Sequence, residues 1–371
     1  MTSANLLYTD VEDDLRASVR DLLSTHCDPT DVLATRESGQ PYFLELWRKL
    51  AVELGVAGLH VPERQGGQGG TLRETAVIAE ELGRSVAPVP FLGSTVLCTS
   101  ALLGVPGSAA ATLLERLAAG TATGALVAPL TSGPAGEFPT AIRVSADGGL
   151  HGTVSSVVDA AVADTLIVPA LGAAGPELYA VPASAATITP STALDLTRGI
   201  AEIALSGASG EQLATGAAAA EALNTALRTG AAILASEQLG IAQWCLDETV
   251  RYVSQRHQFG RPIGSFQALK HRLADLWLEI ISARAVARYA ADRIGADAED
   301  ASIAVATAQS YCAEVAVHAA EECIQLHGGI GMTWEHPAHL FLKRAKSDQL
   351  ALGRPGEHRR TLSELVDLPT C

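Results

Sequence analysis

Arg256-His257-Gln258-Phe259-Gly260-Arg261-Pro262-Ile263-Gly264 lies between two helical patterns, and its reading decides the fold. Before it, Leu223, Leu227, Leu234, Ile241 and Cys245 recur at steps of four and seven. After it, Phe266, Leu269, Leu273, Leu276 and Ile280 recur at steps of three and four. Both rows are the apolar stripes of long helices. Gly260 and Gly264 free the backbone and Pro262 halts helix propagation, so the stretch predicts a tight connection between antiparallel helices. It also places a permanent cation, Arg256, three residues before an aromatic ring, Phe259. A guanidinium fork suits a pyrophosphate, and a ring suits a flat heterocycle. Taken alone, the stretch favours the plainer reading: a surface arginine and a core phenylalanine at a helix end.

A second stretch, Gln325-Leu326-His327-Gly328-Gly329-Ile330-Gly331, closes another helical pattern. Glycines at a helix end most often serve as a C-cap. Three of them after Gln325 also let a phosphate or ribose approach bare backbone N–H groups. Together the two turns resemble the R-x-x-F-G and Q-x-x-G-G-x-G turns of the acyl-CoA dehydrogenase family. The resemblance implies that Arg256, Phe259, Gln325, Gly328 and Gly329 contact FAD that is shared at a subunit interface and held mainly by a neighbour.

The 371 residues are too many for one ordinary core, so two or three domains are expected. Hydrophobic residues make up 48% and charged ones 18%, a globular balance, while the 4% aromatic content beside abundant Ala and Gly suits close-packed helices. A net charge of −15 argues against nucleic acid or an anionic membrane surface as a partner. No apolar run reaches membrane-spanning length, and Met1-Thr2-Ser3-Ala4-Asn5 lacks the basic start of a signal peptide, so a cytoplasmic protein is expected. Cys27, Cys98, Cys245, Cys312, Cys323 and Cys371 form no C-x-x-C pair and read as reduced packing residues. No His, Cys or carboxylate cluster has metal-ligand spacing, and no metal is expected.

In chain order, residues 1–118 read as an N-terminal α-helical domain. Helical periodicity runs from Val11 to Leu23 and from Tyr42 to Leu54, with Gly55 as a cap. Pro62-Glu63-Arg64-Gln65-Gly66-Gly67 resembles the family's P-E-x-x-G-G loop, and Glu80-Glu81-Leu82-Gly83-Arg84 its E-E-L-G-R helix. Pro88 and Pro90 break the chain before Phe91, and a further helix spans Ala110 to Leu117. Residues 119–212 change character. Short apolar runs at Ala125–Ala128, Ala141–Val144, Thr165–Val168 and Leu178–Val181, between Gly, Pro and Ser turns, indicate a small antiparallel barrel or sandwich. Residues 213–371 return to long helices, including Asp300 to Leu326 and Pro337 to Leu352. The expected fold is therefore acyl-CoA dehydrogenase-like, with an N-terminal α-helical domain, a middle antiparallel β-barrel domain and a C-terminal four-helix bundle. The run from Met332 to Ala345 resembles an actinobacterial subgroup that acts on bulky, steroid-derived acyl-CoA thioesters, often as pairs of unlike chains.

Two departures from the family pattern matter. Members follow the first strand with T-E-P-x-x-G-S, which holds the flavin; this chain has Ala128-Pro129-Leu130-Thr131-Ser132-Gly133-Pro134. Members also carry G-x-K-x-[WF]-I-[TS]-N, whose ring-contacting positions fall here on Ser156 and Val158. Val158 offers the flavin no hydrogen bond, and Ser156 cannot cover its ring. The base is missing as well. Dehydrogenation needs a carboxylate beside the substrate α-carbon to take a proton while a hydride leaves for the flavin. The two positions where the family keeps its Glu are occupied by Leu352 and Gly230. Glu237 lies two helical turns from Gly230, more than about 10 Å of rise away. Glu357 sits in the basic run 354–360, where a salt bridge is its expected fate.

Keeping both trans-acting flavin turns while losing both cis-acting loops points to a non-catalytic β-type subunit. Its expected partner is a catalytic acyl-CoA dehydrogenase subunit in an α2β2 heterotetramer, which supplies the Glu and binds the acyl-CoA. Two alternatives remain at this level: an active homotetramer with its base relocated to Glu357, and a flavin-free acyl-CoA-binding or assembly protein.

Overall fold

The computed structural model describes residues 6–37 and 42–368. The expectations placed on Met1–Asn5 and Cys371 lie outside them. The N-terminal part is helical, as its periodicity predicts. Helix α1 (Asp10–His26) opens on Thr9, whose hydroxyl accepts from the Glu12 N–H while the Glu12 carboxylate accepts from the Thr9 N–H. That reciprocal pair satisfies two orphan donors of the first turn. Helices α2 (Pro29–Glu37) and α3 (Leu44–Arg48) follow, and α3 runs on through a π-wound turn, Lys49–Glu53. Gly55 ends it at φ 68°, where a side chain would be strained. Helix α4 (Leu72–Arg84) repeats the capping box with Thr71 and Glu74. Pro88 and Pro90 do break the chain between α4 and the helix that begins at Phe91. Phe91–Cys98 winds as a fully buried π-helix and continues into α5 (Thr99–Leu103), ahead of α6 (Ser108–Ala118).

The middle part is one sheet of eight strands: β1 (Gly124–Leu126), β2 (Ile142–Val144), β3 (Leu150–Val158), β4 (Thr165–Gly172), β5 (Gly175–Pro182), β6 (Thr187–Pro190), β7 (Ile200–Ala208) and β8 (Glu211–Thr215). Its order is β6-β7-β3-β2-β4-β5-β8, with β1 beside the first half of β4. The β1–β4 and β2–β4 pairs are parallel and the rest antiparallel, so the sheet is mixed and not wholly antiparallel as expected. Strand alternation splits its side chains between two cores. Leu126, Val158 and Ile167 join the large core of the helical layers, whereas Ala125, Val127, Leu166 and Val168 join a smaller core enclosed by the sheet itself.

The C-terminal part packs α7 (Gly216–Gln255), α8 (Gln267–Gly295), α9 (Ala301–His327) and α10 (Ala338–Leu350) together. The small strands β9 (His257–Gln258) and β10 (Arg261–Pro262) form the α7–α8 connection. The basic run 354–360 supplies the cap, Arg354, and the first turns of a fifth helix, α11 (Pro355–Leu365), which rests on α9. Its proline supplies a good first helical residue, a signal outweighed in the sequence by the surrounding basic charge. No helix among the described residues is long and apolar enough to cross a membrane.

Candidate functional site

The residues singled out above fall into an outward-facing group and an inward-facing group. The outward group is built by two helix ends. After α7, the chain reverses through a two-residue hairpin whose central residues, Phe259 and Gly260, have φ of 53° and 75°. Such paired positive φ values match the twist of the flanking strands, and the conformation is costly for a phenylalanine. The Phe259 ring is 91% exposed and meets only the edge of Phe266, at 6.2 Å. Arg256 is exposed beside it, and its N–H donates to the Tyr252 carbonyl at 2.9 Å. None of the ion pairs among the described residues includes its guanidinium.

At the end of α9, Gln325, Gly328 and Gly329 are exposed. A Cβ built on either glycine would meet no atom within 4 Å. The turn is an open backbone cradle, and the residues present fit a phosphate- and ring-bearing ligand supplied from outside this chain. Phe259 is thus no core residue, so the plainer reading of its stretch holds for the surface arginine but not for the phenylalanine.

The inward group is the opposite. Leu352 and Gly230, more than a hundred residues apart, face each other. A Cβ on Gly230 would stand 2.9 Å from Leu352 Cδ1 and 2.6 Å from Leu97 Cδ2. Leu352 is 1% exposed, and its N–H donates to the Leu130 carbonyl at 2.7 Å. Leu130 in turn donates its N–H to the Ser156 carbonyl at 2.9 Å. Ser156 has φ 61° and sits where the β3–β7 register shifts, a bulge that takes its side chain out of the alternation. Val158 is buried with Leu97, Ala128, Leu130 and Leu352 in the large core. The two base positions are therefore packed against each other and against Leu97, and the strand that carries Ser156 is tied to Leu352 through Leu130. The neighbouring cavity, lined by Ser132, Phe138, Leu223, Asn224 and Leu227 among others, is about 210 Å³, small for a drug-sized ligand. The larger groove of about 630 Å³ between α6 and β8 is lined by none of these residues.

Neither substitute carboxylate reaches this place. Glu237 is buried in a salt-bridge network, 2.5 Å from Arg198 and 2.7 Å from Arg344. Burial opposes its charge, but the two guanidiniums outweigh that and hold its carboxyl below the usual range. Glu357 makes no salt bridge among the described residues, contrary to expectation. It is the third residue of α11 and accepts the Arg354 N–H at 3.0 Å.

Sequence reasoning missed one grouping. Folding brings Glu248, His327 and His336 together, with their ligand atoms within 4.8 Å of one another. No spacing rule links positions 248, 327 and 336; only the packing of α7 on α9 does.

Comparison with known proteins gives the same picture of the whole chain. Residues 9–121 match the acyl-CoA dehydrogenase N-terminal domain, and residues 220–366 the acyl-CoA dehydrogenase C-terminal domain. Acyl-CoA dehydrogenase IpdE2 of Mycobacterium tuberculosis is 39% identical over 96% of this chain and 97% of its own. The crystal structure of the ChsE4-ChsE5 complex from Mycobacterium tuberculosis superposes with a TM-score of 0.85 at 29% identity, over 99% of this chain and 100% of that one. The Tcur3481-Tcur3483 steroid ACAD superposes with a TM-score of 0.85 at 28% identity, over 96% and 98% of the two chains.

Proposed function

Because this chain belongs to the acyl-CoA dehydrogenase family, we propose that it is the non-catalytic subunit of a heteromeric, FAD-dependent acyl-CoA dehydrogenase. The family's reaction is α,β-dehydrogenation of an acyl-CoA thioester. The observation that carries the subunit role is the apolar plug. Both positions at which the family keeps its base converge on one spot, and Leu352 and Leu97 fill it. No ionisable group stands there to take a proton, and Val158, buried in the same core, offers a flavin no side-chain hydrogen bond. The outward turns remain open. In this reading Arg256 holds the pyrophosphate of FAD bound by the catalytic neighbour, Phe259 covers a flat part of it, and Gln325 with the open Gly328–Gly329 backbone lets it approach closely. FAD in that site supplies the hydride acceptor, and the neighbour supplies the base and the acyl-CoA pocket. The likeness to the ChsE4-ChsE5 complex and to a steroid ACAD supports a paired assembly, α2β2, and a bulky steroid-derived acyl-CoA as the substrate class.

The test is assembly. Expressed alone, the chain is expected to be colourless or aggregated, and co-expressed with its catalytic partner it yields a yellow complex. A yellow homotetramer that reduces an electron acceptor with acyl-CoA sinks this reading.

A further inference from the structure

Glu248 on α7, His327 at the end of α9 and His336 in the following loop meet just behind the two outward turns. Two imidazoles and a carboxylate this close could hold a metal ion, but the proton positions oppose it. The Ala338 N–H donates to His336 Nδ1 at 3.2 Å, which leaves the ring proton on Nε2, facing Glu248 Oε1 at 3.5 Å. Arg251 holds both Glu248 oxygens, at 2.8 and 2.5 Å. His327 Nδ1 donates to the Cys323 carbonyl at 2.7 Å. Its Nε2 is fully buried without a hydrogen-bond partner and stands 3.8 Å from Glu248 Oε1, an ion-pair distance. The Tyr252 ring stacks on the His327 ring, with centroids 4.3 Å apart.

The groups facing His327 are Glu248, Arg251 and Tyr252 from α7, Cys323 from its own helix, and His336 from the loop. Burial works against a charge on His327, yet Cys323 and the nearby Glu248 carboxylate outweigh burial and raise it to about 9. Burial also opposes charge on Glu248, and His327, His336 and Arg251 together hold it far below the usual carboxylate range. The Glu248 carboxylate and the Tyr252 ring thus close on His327 from α7.

Both partners sit on the flavin-facing turns. His327 directly precedes Gly328, and Tyr252 accepts the Arg256 N–H through its carbonyl. We propose that Glu248, with the Tyr252 ring, is a positioning clasp on His327 that fixes the Gly328–Gly329 turn against the Arg256–Phe259 turn, so that both address one FAD. This rests on the reading that the two turns complete a neighbour's flavin site. The clasp makes Glu248 and His327 positioning residues that act through the backbone of the turns.

The experiment titrates FAD into the assembled complex from about pH 6 to about pH 10, bracketing the histidine range, for wild type, Glu248→Gln and Arg256→Ala. Glu248→Gln is expected to assemble, to bind FAD about tenfold more weakly, and to lose affinity nearer the ordinary histidine range instead of near pH 9. A packing role alone leaves that profile where it was. Tyr252→Leu, which removes the stacked ring, carries the same expectation of weakened FAD binding and serves if Glu248→Gln does not assemble. Wild-type affinity with an unshifted profile in Glu248→Gln, or wild-type affinity in Tyr252→Leu, overturns the clasp while FAD loss in Arg256→Ala leaves the flavin reading standing. Full FAD retention by Arg256→Ala removes that reading and the clasp with it.

Discussion

At position 352 a leucine replaces the expected carboxylate, and its surroundings have adapted to it. Leu352→Glu sets an unpaired charge against Leu97 and the Gly230 backbone. The expected loss is about 3–5 kcal/mol, the scale of an uncompensated buried charge, with no turnover gained by this chain. Glu357→Gln is the complementary test. Glutamine at the third helical position still accepts the Arg354 N–H, so stability should change by less than about 1 kcal/mol. Turnover of the assembled complex should stay at the wild-type value in steady-state assays, because Glu357 reaches no substrate. A well-folded, FAD-replete Glu357→Gln complex without turnover assigns the chemistry to this chain instead. The absence of a base at 230 and 352 was legible in the sequence. That the two positions share one plugged spot was not, since Leu97 enters it from the π-wound segment Phe91–Cys98, more than a hundred residues from Gly230 and Leu352.

Among the elements, α7 carries the most. Its 40 residues touch the N-terminal helices, the sheet and the other long helices. Its approach to α4 is set by two glycines. A Cβ on Gly240 would lie 1.9 Å from the Glu80 carbonyl oxygen, and one on Gly83 would lie 2.2 Å from the Glu237 carbonyl oxygen. Gly240→Ala gains about 1 kcal/mol of helix propensity. It then forces two backbones apart, an overpacking cost at or above about 3 kcal/mol. A net loss near 2 kcal/mol is expected in the melting of the assembled complex. Gly356→Ala is the control, since it too is helical and its Cβ meets nothing within 4 Å, so it should hold or raise the midpoint. An unchanged or raised midpoint for Gly240→Ala as well refutes the close-approach account.

Across the whole molecule, buried charges join the sheet to the helices. Arg198 lies 3.1 Å from Asp348 as well as touching Glu237, and Arg344 lies 3.3 Å from Asp195. Asp159, beside this network, accepts from the Gly93 N–H at 2.9 Å and the Tyr42 hydroxyl at 3.1 Å. Burial pushes its carboxyl up to about 6, against the opposing pull of Arg198 and the two donors. The native state therefore keeps a proton that the unfolded chain has released, and stability falls as pH rises from about 4 to about 6. The size of that loss is on the order of 3 kcal/mol for a shift of this extent. Asp159→Asn should flatten the melting midpoints of the complex across this window relative to wild type. Parallel profiles for the two proteins reject the assignment to Asp159.

The amino-acid sequence by itself determined the long helices, the sheet between them and the two glycine-bearing turns at helix ends, because periodicity and local turn chemistry are short-range properties. Gly55 ends its helix, and Phe259-Gly260 reverses its chain, for reasons contained within a few residues. It also determined that no carboxylate stands at 230 or 352. Tertiary structure alone decided what replaces the base and what stands behind the turns. Leu97, Gly230 and Leu352 come from three distant segments, as do Glu248, His327 and His336. Their meeting depends on helices packed closely enough for a glycine Cβ to have no room, and that distance is set by the whole core rather than by any one stretch of chain.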